Sequence, residues 1–187
     1  VNKLKNNNDT ILIGTELGYI YHHNNQNYLI NIKKNIHGCV NDIDVDNYNI
    51  FVTGDTENLV TLWNNENIKK FEGHYSSIVD VKISKNKLFI ISKDIDNEII
   101  LWKTENKLEY YHIPIKADKI IFSEDNDNII FLKNTDNDCE LNLLKINNII
   151  NENNLHKYTK WDHNNAIMIA IAGGAGHQDA SLSKHGL

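Results

Sequence analysis

Arginine is absent from this chain of 187 residues, and proline and methionine occur once each. All 19 basic side chains are therefore lysines, set against 25 carboxylates for a formal charge of -6. The chain lacks the basic excess that neutralises phosphates and the planar guanidinium that reads guanine, which argues against nucleic acid as a partner. The adjacent pairs Lys33-Lys34 and Lys69-Lys70 read as solvated faces. The two cysteines, Cys39 and Cys139, form no C-x-x-C. Neither a disulfide framework nor a zinc site is signalled, and a reducing compartment, cytoplasmic or nucleocytoplasmic, is expected. No apolar run approaches the ~18 residues of a membrane span, and the N-terminus lacks a secretory apolar region. No membrane insertion by this segment is expected.

Asparagine, isoleucine and lysine fill the chain instead, with 31, 28 and 19 residues. A/T-rich codons favour all three, so the bias is a genomic signature before it is chemistry. With 41% apolar and 24% charged residues, the composition is that of one folded domain and not of a disordered segment.

Two segments repeat with a period of about 38 residues. One runs from His37 to Trp63 and the other from Gly73-His74 to Trp102. Between these landmarks Val40, Asp42, Ile43 and Val45 match Ile78, Asp80, Val81 and Ile83. Ile50, Val52 and Thr53 match Leu88, Ile90 and Ser92, and Leu59, Thr61 and Trp63 match Glu98, Ile100 and Trp102. Each unit holds three short runs rich in Ile, Val, Phe and Tyr, separated by Asn, Asp, Gly and Lys clusters, and a fourth run follows each tryptophan. This is the pattern of hairpin-linked antiparallel strands. No window sustains a 3.6-residue period, so the expected class is all-β, built from four-stranded antiparallel meanders.

These units resemble the WD-repeat family, whose repeats of about 40 to 45 residues carry Gly-His near the start and Trp-Asp near the end. Gly73-His74 and Trp102 fit that frame, whereas Ile36 precedes His37, and Asn64 and Lys103 follow the two tryptophans. The resemblance implies a β-propeller, with this chain supplying about four blades of a larger ring as an open arc or fragment. On that reading 1–36 is a partial blade lacking its first strand, and 37–73 and 74–111 are whole blades. Residues 112–165 form a degenerate blade with an Asn-rich insertion, and 166–187 either begin a further blade or form a Gly-rich tail. In the degenerate unit, the position of Trp102 falls either to Leu144 or to Trp161. The resemblance also implies a structural hydrogen-bond tetrad inside each blade: His74, Ser92, Asp96 and Trp102 in one, and His37, Thr53, Glu57 and Trp63 in the other.

Catalytic and metal patterns are weak beside this. Adjacent His22 and His23 point to opposite sides of a strand and make no metal pair. Ser181 to Lys184 matches S-x-x-K without its companion motifs. Asp42, Asp44 and Asp46 alternate with Ile43 and Val45, which reads as a solvated or ring-facing edge and not as a calcium loop. No nucleophile, base and orienting group occur together, so no enzyme, cofactor or metal is expected. A propeller holds its loops on a rigid disc. The expected role is a non-catalytic protein–protein interaction scaffold or adaptor in a multiprotein complex. The loop after His74 and the turn before Trp102 belong on one rim, which makes Tyr75, Ser76 and Ile95 the candidate partner contacts. Apolar blade edges at the two ends, with Ile11, Ile13, Ile167 and Ile169 near them, invite self-association. The alternative is a WD-repeat guanine-nucleotide exchange factor for a small GTPase of the COPII type, using the Gly-rich segment 173–176.

Overall fold

The computed structural model describes residues 3–7, 10–24, 30–34, 38–47, 50–64, 67–106, 109–134 and 139–153. His37, Trp161, Ile167, Ile169 and the Gly-rich segment 173–176 lie outside them. The strand-forming runs fold into four antiparallel sheets in which each strand pairs only with its neighbours in sequence. The first sheet contains β1 (Lys3–Asn7), β2 (Thr10–Gly14), β3 (Tyr19–Asn24) and β4 (Ile30–Lys34). The second contains β5 (Val40–Asn47), β6 (Ile50–Asp55), β7 (Leu59–Asn64) and β8 (Ile68–Glu72). The third contains β9 (Ile78–Ile83), β10 (Phe89–Asp94), β11 (Ile99–Lys103) and β12 (Tyr110–Ile113). In the fourth, β13 (Lys119–Phe122), β14 (Asn128–Asn134) and β15 (Cys139–Lys145) precede a helix, α1 (Ile146–Asn153).

The all-β class is as expected, and two elements differ. The first sheet is not missing its opening strand, because Lys3–Asn7 pairs with β2 along its length. Its lysines look like loop in sequence, but Lys3 and Lys5 bond to acids of the second sheet, a non-local reason to be a strand. The Asn-rich stretch after β15 begins as helix. Ile146 and Ile149, one turn apart, are buried against the third and fourth sheets, so packing and not a sustained period holds it. In the fourth sheet Leu144 pairs with Ile129 as Trp102 pairs with Ile90, so Leu144 occupies the tryptophan position. β12 runs to Ile113 and crosses the 111/112 boundary.

Part of the asparagine excess has a conformational use. Asn58, Asn97 and Asn126 take the left-handed backbone, at φ of 65°, 64° and 64°, in hairpin turns, and Gly18 does so in the first sheet. Asparagine tolerates that region better than other non-glycine residues.

The core lies between sheets, where one face of each packs on the next. Leu12 and Ile20 meet Ile43, Phe51 and Trp63; Val52, Val60 and Phe71 meet Val81, Ile90 and Trp102; Ile91, Ile99 and Leu101 meet Ile120, Ile129 and Phe131. In the first two contacts Gly14 and Gly54 stand near the ends of β2 and β6. A Cβ on Gly14 would lie 2.5 Å from the Val40 side chain, and one on Gly54 would overlap Ile78 in the same way. In the third contact the sizes exchange. Lys93 takes the glycine position and Ala117 the Val40/Ile78 position, and the buried Lys93 ammonium donates to the carbonyls of Ala117, at 2.9 Å, and Asp118, at 2.8 Å. Burial holds the Lys93 ammonium below its usual lysine pKa.

Asp42 and Asp44 are not a solvated edge. Both are buried, and they accept the Val81 and Ile83 N–H groups of β9 at 2.9 and 3.0 Å while pairing with Lys3 and Lys5 of β1 at 2.7 and 2.9 Å. The opening strands of three successive sheets are thus tied side by side. Burial pushes the Asp42 carboxyl up, but the Lys82 and Lys3 ammonium groups and the Val81 N–H prevail and hold it below the ordinary value. Asp80 goes the other way, raised by burial and by the nearby Asp42 charge despite its pair with Lys82.

Gly54→Ala should destabilise the protein by about 1–3 kcal/mol through overpacking. Ile78→Ala, at about 2–5 kcal/mol alone, should lose less than the sum when combined with it. Urea denaturation of the two single variants and the double variant measures the coupling; strictly additive losses would show that the two positions do not compete for one space.

Candidate functional site

β9 is preceded by the loop Gly73–Ser77, and β10 ends at Asp94; together they assemble a buried polar chain. His74 Nε2 lies 2.7 Å from Ser92 Oγ, and His74 Nδ1 lies 3.1 Å from Asp94 Oδ2. Trp102 Nε1–H donates to Ser92 Oγ at 2.7 Å. An ionised aspartate only accepts, so Nδ1 carries the proton, Ser92 donates to Nε2, and every group in the chain is satisfied with a neutral imidazole. Burial, opposed by Asp94 and Glu98, lowers the His74 pKa and keeps it neutral. Gly73 is glycine because the Trp102 ring lies where a side chain would go: a Cβ added there would meet the ring at 2.8 Å.

The acid of this chain is Asp94 and not Asp96. Ser92 and Asp94 lie on one face of β10, whereas Asp96 sits past the strand end in the turn and bonds the Ser76 hydroxyl at the surface. Asp94 Oδ1 also accepts the N–H groups of Asp96 and Glu98, at 3.0 and 2.8 Å, and so closes the turn. The second sheet repeats the plan. Trp63 Nε1–H donates to Thr53 Oγ1 at 2.9 Å, and Asp55 Oδ1 accepts from the N–H groups of Glu57 and Leu59. Asp55, buried, holds the acid position there, and Glu57 is exposed in the turn.

Ser92, His74 and Asp94 have the connectivity of a Ser-His-acid triad. All three are buried, and Ser92 Oγ already serves Trp102 and His74, so the arrangement is a packing device. His74, Asp94 and Glu98 also place ligand atoms within 4.8 Å of one another. Both His74 nitrogens and both Asp94 oxygens are engaged in hydrogen bonds, and Glu98 pairs with His112 at 2.7 Å, so the three residues fit the bonded network in place.

Above this buried chain lies the rim. Tyr75 and Ile95 are 85% and 64% exposed, and the Ile95 N–H donates to Ser77 C=O at 2.9 Å, which brings the two side-chain positions onto neighbouring turns. Ser76, the third expected contact, is tied to Asp96. The repeat pattern alone does not single out Leu17, 77% exposed in the equivalent turn of the first sheet, or the rim position of Glu57 in that of the second. Aligning the turns 15–18, 55–58 and 94–97 carries the signal that finds both.

No family model matches the sequence, and no curated protein does. The fold does match solved structures. The crystal structure of the β-propeller domain of Cps50 (Swd1) from Myceliophteria thermophila superposes with a TM-score of 0.68 over 79% of this chain at 9% identity. The four sheets are blades of a β-propeller. The chain covers 52% of that domain, so it spans about half its length, and at this identity the likeness concerns fold alone. Among the described residues no helix is long and apolar enough to cross a membrane.

Asp94→Ala leaves the His74 Nδ1–H and two backbone N–H groups without an acceptor and should cost about 3 kcal/mol. Asp96→Ala, at the surface, should stay within about 0.5 kcal/mol of wild type. Trp102→Ala should cost about 3–5 kcal/mol. Thermal and urea unfolding of the three variants check this order, and a larger loss for Asp96→Ala than for Asp94→Ala would reverse the assignment of the acid.

Proposed function

We propose that the chain is part of a WD-repeat propeller acting as a non-catalytic protein-interaction scaffold in a multiprotein complex. The single observation that carries this reading is the pair Tyr75 and Ile95: two large apolar side chains held in solvent on turns whose bases are fixed by the buried His74–Asp94 network. Exposed aromatic and aliphatic residues on a rigid base are what an interface uses as anchors, because little conformational entropy is lost on contact. Burial of the Ser92-His74-Asp94 constellation favours binding over catalysis there. Affinity purification of the full chain followed by quantitative mass spectrometry tests the reading. The double variant Tyr75→Ala/Ile95→Ala should lose bound protein, at about 2 kcal/mol for an anchor residue, with an unchanged unfolding midpoint. Retention of every partner by a folded double variant would overturn it.

Exposed apolar faces of the first and fourth blades support self-association as part of the same reading. Ile121, Leu141 and Leu143 are exposed on one face of the fourth blade, where Ile99 and Leu101 of the third blade, the equivalents of Leu141 and Leu143, are covered. Leu4 is exposed on the first. Sedimentation velocity should show an average coefficient that rises with concentration and falls back in Leu141→Glu/Leu143→Glu. A concentration-independent monomer would refute it.

A further inference from the structure

The rim around Tyr75 is continuous across three blades. Val40 N–H donates to Thr15 C=O at 3.1 Å, which seats the turn holding Glu16 and Leu17 against the entry to β5. Cys39 N–H donates to Thr56 Oγ1, and Thr56 N–H returns to Cys39 C=O, both at 3.1 Å, which joins that entry to the turn holding Glu57. Ser77 Oγ–H then donates to Thr56 C=O at 3.0 Å, and Ile95 N–H to Ser77 C=O at 2.9 Å. Leu17, Glu57, Tyr75 and Ile95 therefore stand along one hydrogen-bonded track.

The charge on this track has one sign. Its turns and loop (15–18, 55–58, 73–77 and 94–98) expose the carboxylates of Glu16, Glu57 and Asp96 and half-expose Glu98, and they contain no lysine. Asp55 and Asp94 lie buried directly beneath; among the described residues His74 is inside the blade and His112 pairs with Glu98. Leu17 follows Glu16 and Ile95 precedes Asp96 in these turns, and the Ser76 hydroxyl, next to Tyr75 in sequence, donates to Asp96.

We infer that this rim docks a basic, lysine- or arginine-bearing peptide segment of a partner protein, its aliphatic parts on Leu17, Tyr75 and Ile95 and its cations on Glu57 and Asp96. The inference rests on the scaffold reading and adds the chemistry of the partner. A long basic side chain carries both kinds of contact at once, methylenes for the apolar side chains and a charged end for a carboxylate. The exposed tyrosine ring also attracts a cation to its face. A carboxylate-rich peptide or a nucleic acid would meet repulsion along the whole track.

Fluorescence anisotropy with the full chain tests this. The probe is a short labelled peptide of alternating lysine and alanine with one central leucine, and the controls are the same peptide with glutamate for lysine, and spermine as competitor. The lysine peptide should bind, weaken as ionic strength rises, and lose about tenfold or more in affinity with either Tyr75→Ala/Ile95→Ala or Glu57→Lys/Asp96→Lys. The glutamate peptide should not bind. Equal binding of both peptides, unchanged affinity in either folded variant, or displacement by spermine as effective as by unlabelled peptide would overturn the inference. If Tyr75→Ala/Ile95→Ala strips partners in affinity purification yet the lysine peptide never binds, the basic chemistry is wrong and the scaffold reading stands. If that variant keeps all its partners, the scaffold reading fails as well.

Discussion

The approach of one blade to the next leaves no room for a methyl group at Gly14 or Gly54, and that closeness governs the rest of the structure. Sheets this near must bury their facing side chains completely, which is why Leu12, Val52, Val60, Ile78 and Val81 lose all contact with solvent. Polar groups caught between them are costly unless they find hydrogen-bond partners. Asp42 and Asp44 do so by accepting N–H groups from the neighbouring blade's first strand, which has no strand of its own blade on that side. Close approach and acidic cross-links are two consequences of one geometry. The third contact shows that the geometry admits another solution, a lysine against an alanine, provided the ammonium finds carbonyls.

The buried histidine chain follows from the same constraint applied inside a blade. Trp102 of β11, packed against Tyr110 of its own blade and Phe71 of the neighbouring one, brings one N–H that must be bonded once buried. Ser92 accepts it, His74 accepts from Ser92, and Asp94 accepts from His74 and from the turn backbone, so the demand of one indole is passed along until it ends on a carboxylate that also shapes the rim. Side-chain packing and surface turn geometry are therefore one structure. A rim so anchored keeps Tyr75 and Ile95 at fixed positions although their own side chains have few neighbours.

What is legible in sequence is whatever repeats locally. His74, Ser92 and Trp102 stand out because their spacing recurs, and strand runs stand out because β-branched residues alternate there. Motif spacing followed past the strand end points to Asp96 as the acid; alternation along β10 places Ser92 and Asp94 on one face and names Asp94 instead. β1 is illegible for a different reason. Its lysines become strand residues only through Asp42 and Asp44, some forty positions downstream, and no local window contains that information. α1 likewise depends on Ile146 and Ile149 reaching a core made by Ile99, Leu101 and Ile113.

The position of charge separates structural from interactive use of the same residue types. Acids that face the next blade are paired with Lys3, Lys5 and Lys82 and are taken up by the fold. Acids on the rim turns have a different geometry: the first carboxylate of each turn, Asp55 or Asp94, is engaged by backbone N–H groups, and the next, Glu57 or Asp96, is left facing water. The turn therefore presents negative charge as a by-product of how it is closed, and the repeat multiplies it from blade to blade. A surface built this way acquires its sign from folding chemistry, and the choice of apolar residue beside each acid (Leu17, Tyr75 or Ile95) is the part that sequence variation is free to tune.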